Sequence, residues 1–271
     1  MIELQNIIID NDKPFVLIAG PCVIESEEIT FYTAESIKNI TSELGIPFIF
    51  KSSFKKANRT SINSFTGLEK NKALKILADV KHKYNIPVLT DIHTEEDVQP
   101  VSEVADVLQI PAFLCRQTDL LVAAGKSGKI INIKKGQFLA PEDIRHAAGK
   151  VESTGNSKIL LTERGTTFGY HNLVVDMRSI IIMKSLGYPV VMDATHSVQM
   201  PSSGKETGGE PEFILPLAKA AISLGVSALF LEVHPNPPEA LSDSASQLPL
   251  NKLKDLLINV KKIDSVVKGY N

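Results

Sequence analysis

Eight short apolar runs rich in β-branched residues recur along the chain, and most are followed by a longer amphipathic stretch. This alternation, more than any single residue, limits what the chain can fold into. The runs are 15–20 (FVLIAG), 47–53 (PFIFKSS), 87–92 (PVLTDI), 107–112 (VLQIPA), 129–135 (KIINIKK), 158–165 (KILLTERG), 189–195 (PVVMDAT) and 228–234 (ALFLEVH). Between them lie helical patterns such as 68–84, where Leu68, Leu74, Leu77, Ala78 and Val80 interleave with Lys and Asp, and 173–186, which ends at Gly187. Gly45, Gly187 and Gly225 each stand where a helix stops before a strand. Strands apolar on both faces, each followed by a helix, imply a parallel sheet, and eight repeats imply a closed (β/α)8 TIM barrel, class α/β. The alternative is an open doubly wound sheet, which would bind its ligand at one switch point. The polar residues favour the barrel: Cys22, Lys51, Asp91, Gln109, Lys134, Arg164, His196 and Glu232 fall at or just beyond strand ends, and a barrel gathers those ends on one face. Residues 1–14 precede the first barrel strand and are expected to form a short strand or hairpin across the barrel bottom. Residues 1–271 read as a single catalytic domain.

Of 271 residues, 43% are hydrophobic and 22% charged, which suits one such domain. A formal net charge of -2 offers no basic field for nucleic acid or an acidic membrane, so the expected partner is a small molecule. No apolar run is long enough to span a bilayer, and Met1-Ile2-Glu3-Leu4-Gln5-Asn6 lacks the layout of a secretory signal, so the expected location is cytoplasmic. The two cysteines, Cys22 and Cys115, do not form a disulfide pattern and are read as thiols.

Two sets of side chains carry chemistry. Lys51, Lys56, Arg59, Lys134 and Arg164 concentrate positive charge beside buried apolar runs, as a ligand bearing phosphate and carboxylate would require. Cys22, His196, Glu232 and Asp243 offer a mixed soft and hard donor set suited to Zn2+, Fe2+ or Mn2+. They are scattered in sequence; taken singly, Cys22 reads more readily as a packed small residue and His196 as a general acid or a satisfied loop histidine. Barrel closure makes the first, seventh and eighth strands neighbours, which would let all four meet. Cys115 reads as a packed thiol and His82 and His146 as solvated. His234 shares a strand face with Glu232 and reads either as orienting a ligand or as simply preceding the turn PNPPE, and 202–212, with Gly204, Gly208 and Gly209, reads either as a lid or as an ordinary connection.

The motifs AGPCVIES at 19–26, FKSSFKKANRTS at 50–61, TDIH at 90–93, QIPAFLCRQTDLL at 109–121, NIKKGQFLAP at 132–141, LTERGTTFGYHNLVVDMRS at 161–179, DATHSVQMP at 193–201 and ALSDSASQLPL at 240–250 together resemble the 3-deoxy-D-manno-octulosonate 8-phosphate synthases, over almost the whole barrel. The resemblance implies condensation of phosphoenolpyruvate with D-arabinose 5-phosphate, releasing inorganic phosphate, on the route to lipopolysaccharide. Lys51, Lys134 and Arg164 would hold phosphoenolpyruvate with Gln109 and Lys56 close by, Asn58, Arg59 and Thr60 would handle the aldose and its phosphate, and Asp91 would bond sugar hydroxyls. Lys51, Lys134, His196 and Asp243 are the expected catalytic residues. The related 3-deoxy-D-arabino-heptulosonate 7-phosphate synthases use erythrose 4-phosphate and carry a lysine-proline-arginine-threonine motif where this chain has KANRTS at 56–61, which favours the five-carbon aldose. Thr60 stands where serine is common in the family and keeps the hydroxyl. Cys22, where a metal-independent branch has asparagine, implies the metal-dependent branch, and the family pattern implies a homotetramer with Arg59 completing a neighbour's site. A barrel that only binds a sugar phosphate is the non-catalytic alternative.

Overall fold

The computed structural model describes residues 1–58, 63–201 and 208–270. Eight parallel strands form the barrel: β1 (Val16–Gly20), β2 (Phe48–Lys51), β3 (Val88–Asp91), β4 (Val107–Ile110), β5 (Ile130–Lys134), β6 (Ile159–Glu163), β7 (Val190–Asp193) and β8 (Ala228–His234). Each pairs with the next, and β8 returns to β1 in register from Ala228 opposite Val16 to Glu232 opposite Gly20, which closes the ring. Eight helices alternate with them: α1 (Glu27–Leu44), α2 (Lys70–Tyr84), α3 (Glu95–Val104), α4 (Thr118–Lys126), α5 (Ile144–Glu152), α6 (Arg178–Ser185), α7 (Ile214–Ser223) and α8 (Leu250–Lys268). Their ends carry local signals: Ser26 caps α1 by accepting from the Ile29 amide, and Gly45 ends it at φ 63°, a left-handed turn glycine adopts without strain. No helix among the described residues is long and apolar enough to cross a membrane.

Side chains along a strand alternate between the interior of the barrel and the helical layer. The outward set packs on the helices as one large core. The inward set begins as a separate apolar layer of Val16, Ile18, Ile49, Leu89, Val107, Ile130, Leu160, Val191, Ala228 and Phe230. Ile2, Ile7 and Ile9 of an antiparallel hairpin, Ile2–Leu4 paired with Ile7–Ile9, pack on this layer and close the amino-terminal end of the barrel, as expected for residues 1–14. The expected helix over 173–186 is shorter. Thr166–Gly169 pairs with Asn172–Val174 as a hairpin, and α6 begins only at Arg178. The β-branched and aromatic residues of TTFG and NLV favour extended backbone, and His171 takes φ 55° at the turn between them.

The chain ends are tied to the same end of the barrel. The buried Asp264 carboxylate on α8 accepts from the Phe15 amide at 2.9 Å and the Tyr270 hydroxyl at 2.6 Å, and pairs with Lys268 Nζ at 2.9 Å. Removing the carboxylate would take the counter-charge from the Lys268 ammonium, which would keep only the Val226 carbonyl at 2.7 Å, and would leave the Phe15 amide unpaired, so Asp264→Ala is expected to lower unfolding free energy by about 3 kcal/mol, measured by urea denaturation. A loss under about 1 kcal/mol would show that α8 is held by its apolar face alone.

Candidate active site

The alternation that makes the lower barrel apolar also builds the site. Two residues beyond Ile49, Leu89, Val107, Ile130, Leu160, Val191 and Phe230, the inward positions hold Lys51, Asp91, Gln109, Asn132, Thr162, Asp193 and Glu232, all buried. One step further on β5 is Lys134. Polar groups at this depth must be paired. Part of the ring does so as a chain: Thr162 donates to Asn132 Oδ1 at 2.6 Å, Asn132 donates to Gln109 Oε1 at 2.9 Å, and Gln109 donates to the Asp91 carboxylate, which also accepts from Ser53. Above lies a cavity of about 800 Å3 whose walls include Lys51, Lys56, Asn58, Asp91, Gln109, Lys134, Arg164, His196 and Asp243.

The cations reach this cavity from separate strands. Lys51 donates to the Cys22 carbonyl at 3.1 Å and to Glu232, and Lys56 Nζ stands 3.5 Å from Glu232 Oε1. Burial disfavours the Lys56 ammonium, but the Cys22 sulfur and the carboxylates of Glu232, Asp91 and Asp243 hold its pKa well above the ordinary range. Lys134 pairs with Asp193 at 2.6 Å and lies 4.2 Å from the centre of the Phe230 ring. Burial pushes its pKa down despite Asp193, and the Lys51 charge pushes the same way. Arg164 donates from Nη2 to Gln199 Oε1 at 2.9 Å, while its buried Nη1 has no hydrogen-bond partner among the described residues. Burial lowers its pKa as well. The Glu163 carboxylate fixes the turn beneath it by accepting from the amides of Arg164 and Gly165 at 2.9 and 2.7 Å. A donor left unpaired beside buried cations is the arrangement that an anionic group would complete.

Cys22, Glu232 and Asp243 come together with one ligand atom each within 4.8 Å of the others. Just before Cys22, Gly20 lets the end of β1 lie close against β2, since a Cβ there would lie 2.0 Å from the Lys51 carbonyl oxygen. The loop carrying Asp243 is tied down by Gln247, which accepts from the Cys22 amide at 3.2 Å and donates to the Ser242 carbonyl at 2.8 Å, and by the Leu241 amide, which donates to Glu25 at 2.8 Å. His196 stands beside this trio rather than inside it. Its Nδ1 lies 2.8 Å from Asp193 and its Nε2 lies 3.6 Å from Glu232 Oε1. Burial pushes the Cys22 thiol well above the usual range, and the carboxylates of Asp243 and Glu232 push it further. Burial also works against the Glu232 carboxylate, yet His196, Lys51, Lys56 and Lys134 hold its pKa well below the usual range. Its Oε2 is buried without a hydrogen-bond partner among the described residues. A thiol and two carboxylates, one with an orphaned buried oxygen, and an imidazole braced from behind by a carboxylate together fit a divalent cation of the zinc, iron or manganese kind.

Arg59 and Thr60 lie outside the described residues, as do 202–207 of the expected lid. His234 is buried 3.5 Å from Glu25, and Cys115 is a buried free thiol. Sequence reasoning missed Asn132, Thr162, Asp193, His93 and Gln199. Period two along the strands would have found the first three, since each follows an inward apolar residue by two. His93 and Gln199 lie in loops and carry no such signal.

The chain matches the model of the DAHP synthetase I family over residues 1–269. Among curated proteins it is 54% identical over 268 residues to the 2-dehydro-3-deoxyphosphooctonate aldolase of Francisella tularensis subsp. holarctica, covering 98% of each chain. The proteins of the same description from Geotalea uraniireducens and Syntrophotalea carbinolica are 55% and 51% identical, over 98% of each chain for the first and 99% of this chain and 97% of the relative for the second.

The buried carboxylates set a pH dependence. Burial alone would raise the pKa of Asp91, but Lys51, Lys56, His93 and Lys134 hold it well below the usual range. An unfolded aspartate takes up its proton near pH about 3.9, before the native one does. The stabilisation from Asp91 is therefore complete above that value and is lost as pH falls through it toward the native pKa. Urea unfolding between neutral pH and about pH 3.5 is expected to show stability falling with pH, and the fall is expected to be shallower in Asp91→Asn. An unchanged slope in the variant would remove Asp91 from the account.

Proposed function

The chain belongs to the DAHP synthetase I family, and from that premise we propose that it condenses phosphoenolpyruvate with D-arabinose 5-phosphate and water to give 3-deoxy-D-manno-octulosonate 8-phosphate and inorganic phosphate, a step toward lipopolysaccharide. The observation that carries this reading is one cavity lined by Lys51, Lys56, Lys134 and Arg164 beside a cation-suited trio. Two anionic substrates that must react with each other repel, and buried cations fixed before binding offset that repulsion and hold the reacting carbons together.

In this reading Lys51, Lys134 and Arg164 grip the phosphate and carboxylate of phosphoenolpyruvate, with Gln109 and Lys56 alongside, and the orphaned Nη1 of Arg164 is one of the donors used. Asn58, Arg59 and Thr60 take the aldose and its phosphate, and Asp91 bonds its hydroxyls. The enol carbon attacks the aldehyde carbon, water adds at C2 of phosphoenolpyruvate, and phosphate departs with cleavage of the C–O bond. Lys134, paired with Asp193, would hold or move a proton at the reacting oxygens, and His196, braced by the same carboxylate, would be kept in one orientation. Cys22, His196, Glu232 and Asp243 would hold the divalent metal of the metal-dependent branch. When bound, such an ion supplies Lewis acidity that orients an aldehyde or water oxygen and lowers the pKa of a bound water. The further expectations are a cytoplasmic enzyme, residues 1–271 acting as one catalytic domain, and a homotetramer in which Arg59 completes a neighbouring subunit's aldose phosphate site.

Mixing both substrates with the protein should release inorganic phosphate, with kcat/KM higher for arabinose 5-phosphate than for erythrose 4-phosphate, because Asn58 and Arg59 in KANRTS distinguish the two aldoses. A reversed ratio would assign the chain to the seven-carbon reaction, and no phosphate with either aldose would leave a binding protein. Treatment with a strong chelator should abolish turnover, and Zn2+, Fe2+ or Mn2+ should restore it. Full activity in a preparation shown by elemental analysis to be metal-free would overturn the metal assignment.

A further inference from the structure

Gln199 occupies a position that neither substrate gripping nor metal ligation explains. It follows the short helical turn His196–Val198 beyond β7 and is buried. Its Oε1 accepts from Arg164 Nη2 at 2.9 Å, and its Nε2 donates to Asp243 Oδ2 at 3.2 Å. A guanidinium can only donate and a carboxylate can only accept, so the amide has one orientation that serves both. A charged side chain in its place would satisfy one neighbour and repel the other. The backbone is committed to the same junction. Gln199 pairs with Gly209, and a Cβ on Gly209 would lie 2.8 Å from the carbonyl oxygen of Ala245, inside the loop that carries Asp243.

We propose that Gln199 is a positioning residue that sets the separation between the anion-gripping guanidinium of Arg164 and the metal-side carboxylate of Asp243, so that the two halves of the site are built as one unit. Arg164 comes from the end of β6 and Asp243 from the loop after β8, and they are not sequence neighbours or strand neighbours. Among the described residues, Gln199 is the group that holds the Arg164 guanidinium by a hydrogen bond while leaving Nη1 free for an anion. Losing the amide removes one shared restraint on the orientation of both side chains. The inference rests on the functional reading above and goes beyond it in giving one uncharged side chain a share in both binding events.

The test measures the two events separately on the full-length chain. Phosphoenolpyruvate is titrated calorimetrically into chelator-treated protein, and Co2+ is titrated without phosphoenolpyruvate, followed by absorbance from the Cys22 thiolate. In Gln199→Met, which keeps volume and removes both hydrogen bonds, each dissociation constant is expected to rise about fivefold or more while circular dichroism shows the protein still folded at the assay temperature. A change in only one constant, or in neither, overturns the proposal, because the residue would then serve one half or none. Should Gln199→Met fold poorly, the same two constants are measured in Gln199→Asn, an amide one methylene too short to span both partners. A rise in both again supports the proposal, and a rise in one or neither again overturns it. If wild-type protein binds neither phosphoenolpyruvate nor Co2+, the functional reading itself fails and this inference with it, an outcome distinct from wild-type binding that Gln199→Met leaves unchanged.

Discussion

Charges buried inside a barrel persist only where each has a partner, and that requirement shapes the upper half of this molecule. Lys51 on β2 meets Glu232 on β8, and Lys134 on β5 meets Asp193 on β7. Each pair crosses the barrel interior rather than running along one strand. The barrel must therefore close in its observed register before any of these charges is tolerable. An ion pair replaced by apolar residues would often be as stable, so the pairs are poorly explained as devices for stability. In the proposed function they are cations fixed in advance for an anionic substrate.

The same logic joins the site to its supports. Asp193 holds both Lys134 and His196, and its own pKa is held well below the usual range because His196 and Lys134 outweigh its burial. His196 in turn faces Glu232, which faces Lys51 and Lys56. The buried cations and the cation-suited trio thus share one electrostatic network, in which a change at one end alters the charge balance at the other. Gln199 adds an uncharged link, hydrogen-bonded to Arg164 on one side and to Asp243 on the other.

Much of this was legible in the chain itself. Eight apolar runs with helix-period stretches between them are enough to name the barrel, since the hydrophobic period reports which faces are buried. Lys51, Asp91, Gln109, Lys134 and Arg164 were visible because each is a polar group at the end of an apolar run, and the structure places all five on one cavity wall. The hairpin at 166–174 was not legible as such, because Leu173 and Val174 continue the apolar pattern of α6 and the pairing of Thr166–Gly169 with Asn172–Val174 leaves little periodic trace. Asn132, Thr162 and Asp193 were hidden for a different reason. They look like isolated polar interruptions until the inward register of all the strands is laid side by side.

The sequence by itself determined the strand count, the face on which chemistry collects, and the donor types available to an anion or a cation, because those follow from period and composition along the chain. Tertiary structure decided which donors meet. Cys22, Glu232 and Asp243 are brought within 4.8 Å of one another by the return of β8 to β1, while His196 is drawn to Asp193 and left at the edge of that group. It also decided that Arg164 keeps one nitrogen unpaired among the described residues and that Gln199 spans two loops far apart in sequence. The physical reason is that these outcomes depend on distances between residues from different strands, and a one-dimensional pattern fixes the facing of each strand but not the angstroms between side chains across a closed barrel.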